Sequence, residues 1–288
     1  MEKRICILAL TILTVLISSY CYTSSPTDLI QAIQDKKIHV SVASTGNYSG
    51  KCIALKVKNL TNAPCTFVIA AGTIFIPGDE GEQTILIPQK NVIVLQPAES
   101  KPVMVSGYCT ELRDRCPQTS STFTISKTSS QPLLDLIECM APLKNLDESL
   151  VQQSVWCVTD AESPSNLPID DAINSKTLRA FLFKQAGQTD TWYSTKRVPE
   201  VAPDHSIVNT AFEVNGKMDI KAIKPMELLS VVKNEAGEVV WKYPYKTTLP
   251  AGDIVFDFNL KVRGWKGGNY FIIYTCEGVE LVNQKFTI

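Results

Sequence analysis

Of the nine cysteines in the sequence, six fall in one middle stretch: Cys52, Cys65, Cys109, Cys116, Cys139 and Cys157. Thiols in that number can bridge to one another, hold a metal, or stay free and reactive. Zinc draws little support, because no CxxC pair exists and His39 and His205 lie far outside the cluster. An even set behind an export signal reads instead as a disulfide framework, since bridges persist only where thiols are not kept reduced. Cys109 and Cys116 are close in sequence within a polar loop and can meet. A hairpin turn at 59–64 would leave Cys52 and Cys65 roughly 20 Å apart at ~3.3 Å per residue, beyond the ~7 Å that a bridge tolerates between Cα atoms. An antiparallel helix pair would separate Cys139 from Cys157 in the same way, at ~1.5 Å per residue. The expected set is Cys109–Cys116 plus two bridges tying Cys52 and Cys65 to Cys139 and Cys157, each long bridge contributing ~2–4 kcal/mol. Partly free thiols are the alternative, and Cys276 stands alone as a buried thiol.

Other reactive constellations are sparse. A nucleophile pair would need His39, on a strand, or His205, in a polar segment, and neither has a signature around it. No GxSxG, P-loop, GxGxxG after a strand, or HExxH occurs. No catalytic, cofactor-binding or metal residue is therefore assigned. Asp79, Glu80 and Glu82 crowd one loop, but three acids without spaced ligands suit a solvated loop better than calcium. EVVWKYPYK places Val239, Trp241, Tyr243 and Tyr245 on one face, with Lys242 and Lys246 on the other. Such a row either lines the inside of a sandwich or offers rings to a sugar or a protein partner. Pro244 suggests an edge strand, which would leave Tyr243 and Tyr245 partly exposed. Trp192-Tyr193 is expected to pack between domains. Gln152, Gln153 and Trp156 are expected to seat a helix.

The elements that must position these residues follow from the pattern. Lys3 and Arg4, an apolar run from Ile5 to about Ile17, then Ser18 and Ser19, read as a signal peptide over 1–22. Cys6 and Cys21 leave with it; a lipid anchor on Cys21 is the rival. No later segment is apolar enough for a second crossing, so the expected location is periplasmic, cell-surface or extracellular. With 28 Lys+Arg against 29 Asp+Glu, nucleic-acid binding has no electrostatic source. Roughly 265 mature residues suit two domains.

Period-two runs such as KIHVSVAS, CIALKVKN, TILI and VIVL, broken by Gly, Pro and Asn, predict a mainly β chain. Residues 23–193 read as a disulfide-bearing β-sandwich with a helical insert. Its helices are placed near 130–140, from a cap at Asn145 or Asp147, and over 170–184. Residues 194–206 combine charge with prolines and read as a linker. Residues 207–288 read as a second, immunoglobulin-like sandwich, with Ile254, Phe256, Phe258, Leu260 and Val262 facing one way.

Within that last part, Gly237-Glu238-Val239-Val240, Leu249-Pro250-Ala251-Gly252, Gly268-Asn269-Tyr270-Phe271 and the Lys285-Phe286 end carry a resemblance. They resemble the C-terminal sorting domain of type IX secretion cargo and the immunoglobulin-like module of flagellar hook-scaffold proteins. Residues 28–160 loosely resemble uncharacterised secreted bacterial domains, through AAGTIFIP, Tyr108-Cys109 and QQSVW. The resemblance implies a small β-sandwich and, for the first family, an export address. The expected function is an exported, non-enzymatic binding or structural protein with a protein or glycan partner. Two alternatives stand: a secretion cargo whose C-terminal domain is a sorting signal, and a hydrolase with a carboxylate pair.

Overall fold

Wherever the sequence alternates apolar and polar residues, the chain pairs into strands, and the fold is mainly β. The computed structural model describes residues 26–170 and 172–288. The expected signal peptide, with Cys6 and Cys21, lies outside the described residues. Among those described, no helix is long and apolar enough to cross a membrane.

In chain order the first elements are β1 (Thr27–Asp28), α1 (Leu29–Gln34), β2 (Ile38–Ser44), β3 (Ser49–Asn59), β4 (Cys65–Ile69), β5 (Thr73–Pro77), β6 (Ile85–Ile87), β7 (Asn91–Leu95), β8 (Ser100–Cys109) and β9 (Phe123–Lys127). Helices α2 (Gln131–Met140), α3 (Glu148–Thr159) and α4 (Ile173–Gln185) follow. The chain divides into two units: up to Ser41 with Leu55–Ala70 and Lys90–Val103, and Val42–Ala54 with Ala71–Gln89 and Met104–Ile288.

In the first unit Asp28 caps α1 by accepting the Ile30 N–H. A sheet of order β1-β4-β7 buries Phe67, Ile69, Ile93 and Leu95. Asn59 holds the turn after β3 by donating to the Ala63 and Gln96 carbonyls.

The second unit contains a sheet of order β2-β3-β8-β6-β5-β9, to which β2, β3 and β8 contribute residues 42–44, 49–54 and 104–109. The three helices cover it, with Leu86 and Tyr108 from the sheet in one core with Leu136, Met140, Val155 and Leu178. Asp147 caps α3, accepting from the Ser149 and Leu150 N–H groups. Gln152 seats that helix on β8 by bonding the Cys109 carbonyl at 2.8 Å and N–H at 3.1 Å.

The rest of this unit is two sheets on one core. They comprise β10 (Tyr193–Val201), β11 (Ile207–Ala222), β12 (Met226–Asn234), β13 (Val239–Lys242), β14 (Thr247–Leu249), β15 (Gly252–Lys261), β16 (Asn269–Cys276) and β17 (Val279–Thr287). One sheet runs β10-β11-β15; the other runs β13-β12-β16-β17, with β14 also on β12. Val214, Met218, Leu260, Val232, Ile272 and Phe286 meet between them.

The expected linker at 194–206 is not a linker. Most of it is β10, paired with β11 from Tyr193↔Gly216 to Val201↔Ile207. Pro199 fits because β10 is an edge strand, where a missing N–H can face away from the ladder. Tyr193 belongs to the C-terminal core, and Trp192 packs on Gly216 and Phe258 inside it instead of between domains.

Candidate functional site

The aromatic row of the sequence lies on one side of these two sheets. Strand β13 carries Trp241 and stops before Pro244, which cannot continue the ladder. The Tyr243 N–H still donates to the Ser230 carbonyl, so the chain stays against β12 for one more residue. Trp241 and Tyr243 rings stack with centroids 6.0 Å apart, and Tyr245 meets Tyr243 edge-on at 5.8 Å. Trp241 is half-buried, Tyr243 is 40% exposed and Tyr245 70% exposed. The row is an inner wall at its start and a surface at its end.

Beside it runs a groove of about 330 Å³. Trp241 lines it from β13, Tyr243 from the residue that follows, Thr247 and Leu249 from β14, and Phe256, Asp257, Phe258 and Asn259 from β15. Four consecutive residues of one strand can line a groove only if its backbone edge faces it, because successive side chains point to opposite faces. That edge is free, since β15 pairs with β11 alone. Half of its N–H and C=O groups therefore point away from any partner strand.

The base of the groove is polar. Ser230 and Tyr274 are register partners across β12 and β16, and both are buried and line the groove. Neither hydroxyl bonds another described residue. Burial pushes the Tyr274 phenol up to about 12, so it stays an O–H donor throughout the physiological range.

No family model matches the chain, and no curated protein matches it. Among solved structures, a β-glucosidase from Kluyveromyces marxianus aligns at 8% identity with a TM-score of 0.21, over 82% of this chain and 44% of that one. At that score the likeness carries no argument about fold or activity.

The cysteines do not form the expected framework: all seven described are free thiols. The two bridges expected between sheet and helices are absent. Cys139 sits in a cleft with Asp135, Glu138 and Phe181, and Cys157 is half-buried near Glu162 and Arg179. Cys65, in the first unit, lies beside Glu99. Cys52 instead lies with Cys109 and Cys116, its sulfur over Gly107, and burial pushes it up to about 12. Cys109 and Cys116 are the pair that meets, thiol to thiol. Burial raises Cys109, while the hydrogen bond from Cys109 holds Cys116 below the usual thiol range.

Both are thiols in the structure; bridging them would pass two electrons and two protons to an external carrier disulfide, which leaves as a dithiol. Non-reducing peptide mapping of chain produced in an oxidising compartment should find a Cys109–Cys116 bridge. Closing a loop of about eight residues should stabilise the protein by about 2.5 kcal/mol over its reduced form. Six alkylated thiols in that stretch would refute the bridge.

The remaining candidates are structural. Asp79 is engaged by Arg115 at 2.7 Å and Glu82 by the Ser121 hydroxyl at 2.6 Å. No group of three or more His, Cys, Asp or Glu among the described residues is placed to hold a metal. His39 is exposed on β2, and His205 occupies the β10–β11 turn, where its carbonyl accepts the Cys116 N–H. Sequence reasoning missed Ser230, Phe256 and Tyr274 as parts of one site. Their only local signal was membership of apolar strands.

Proposed function

We propose that this chain is an exported, non-enzymatic binding protein. In this proposal its C-terminal part is an immunoglobulin-like sandwich that takes an extended segment of a partner protein along β15. The observation that carries this is the pairing of a free ten-residue strand edge with an aromatic groove on its flank. Strand addition uses those two parts: main-chain bonds supply affinity, and a pocket for alternate side chains supplies specificity. The Ser230 and Tyr274 hydroxyls favour an inserted side chain with an apolar body and a hydrogen-bonding tip. Exposed Val239 and Val255, with Tyr245, extend the apolar surface beside the groove, which suits a polypeptide better than a glycan.

A displayed library of random linear peptides, selected on the full chain, tests the proposal. Binders should emerge that lose about 30-fold or more in affinity on Trp241→Ala, the expectation for a central aromatic anchor. Tyr274→Phe should weaken them by a smaller factor at unchanged stability. No binders, or binders indifferent to Trp241, would refute it. Recognition of glycans through the same rings would replace the protein partner with a sugar.

A further inference from the structure

A second cavity, of about 490 Å³, shares no lining residue with the groove. Its floor is β10 against β11, where Ser194 pairs with Asn215. The register slips between Lys196 and Arg197, and a bulge of this kind turns neighbouring side chains to one side. Both Lys196 and Arg197 accordingly line the cavity. The facing wall is the first turns of α3 and α4, with Leu150 from one and Ser175 from the other.

Two serines decide what the cavity is for. Ser175 is 4% exposed and Ser194 5% exposed, and both line it. Neither hydroxyl bonds another described residue. Both oxygens stay accessible from the cavity, so a ligand's polar groups can take the place of the water that otherwise meets them.

The walls set the chemistry. Arg197 is engaged by Glu162 at 3.9 Å and donates to the Asn166 side chain and the Asn209 carbonyl, while Asp147 and Asp170 each spend one oxygen on N–H groups at a helix start. With Lys196, the remaining lining charges are of both signs, so a strongly charged ligand of either sign meets repulsion as well as attraction. The Asn215 carbonyl oxygen is taken by Asn259, which leaves its amide N–H groups as donors. The Asn174 amide is spent on the Lys144 carbonyl, which leaves its oxygen as an acceptor. The walls thus carry both donors and acceptors, together with apolar surface to which Leu150 and Pro168 contribute.

We propose that this cavity binds a neutral saccharide unit. Each sugar hydroxyl both donates and accepts, which matches the mixed walls and the two cavity-facing serine hydroxyls. The C–H face of the ring lies on Leu150 and Pro168, and the volume falls in the range of small-ligand sites. This site is independent of the proposed protein partner in the aromatic groove.

Calorimetric titration of the full chain with neutral mono- and disaccharides (glucose, galactose, mannose, N-acetylglucosamine and their dimers) tests it. Inorganic phosphate and glutamate serve as charged probes. At least one neutral sugar should bind, and the Ser175→Ala/Ser194→Ala double variant should weaken it about tenfold or more. Lys196→Gln, at an exposed side chain that carries little of the fold, should also weaken it, whereas Trp241→Ala should not. No saccharide binding at tens of millimolar would overturn the proposal and leave the cavity to water. Preference for the charged probes, or sugar binding unaffected by the serine and lysine variants, would overturn it equally.

Discussion

Replacing Arg179 by Met is expected to lower the unfolding free energy by about 2–4 kcal/mol, the cost of leaving several buried carbonyls without donors. Arg179 is buried on α4, and burial pulls its guanidinium below its ordinary value while Asp190 draws it back. Its Nε donates to Asp190 at 2.8 Å and its Nη1 to the Leu167 carbonyl at 2.7 Å. Its Nη2 donates to the Thr191 hydroxyl at 2.7 Å and the Tyr193 carbonyl at 2.8 Å. The planar fork thereby ties the helical layer to the chain entering the C-terminal sheets. Methionine fills the volume but leaves buried carbonyls without donors. Lysine keeps the charge and cannot reproduce the fork, so Arg179→Lys should recover only part of the loss. Denaturant titrations of the variants measure this directly. A loss under about 1 kcal/mol would show that the network contributes little to stability.

Trp156→Ala should cost a similar amount, about 3–5 kcal/mol, by opening a cavity in the interior. Trp156 is fully buried, stacks on Tyr48 at 5.9 Å between ring centroids, and packs with Leu112, Cys116 and Ile207. Its indole N–H nevertheless has no partner among the described residues. Trp156→Phe keeps much of the ring and removes that unpaired donor, so it should cost distinctly less than the alanine change. Equal losses for the two variants would mean that ring volume is not what Trp156 supplies.

Much of the local fold was legible in the sequence. Alternation placed strands such as β2, β6 and β15, and Asp147 before an apolar helical stripe gave the start of α3. The failures share a physical origin. Residues 194–206 look like a linker because charge and proline suppress alternation, yet an edge strand needs neither a full set of N–H groups nor a fully apolar face. Local cysteine reasoning brought Cys109 and Cys116 together. Cys52 went astray because its neighbours are fixed by sheet packing, to which sequence spacing is blind. Arg179 carries no local signal for its buried network, because its acceptors at Leu167, Asp190, Thr191 and Tyr193 come from outside α4. The aromatic row was visible on β13, while Ser230, Phe256 and Tyr274 reach it from three other strands. Contacts of that kind have no short-range signal.

Amide hydrogen exchange of the full chain, with and without a selected peptide, tests the central proposal most directly. Strand addition predicts new protection at alternate amides of β15, over Gly252–Lys261, together with slowed exchange around Trp241. Protection confined to other strands, or none on β15 with the peptide bound, would contradict it.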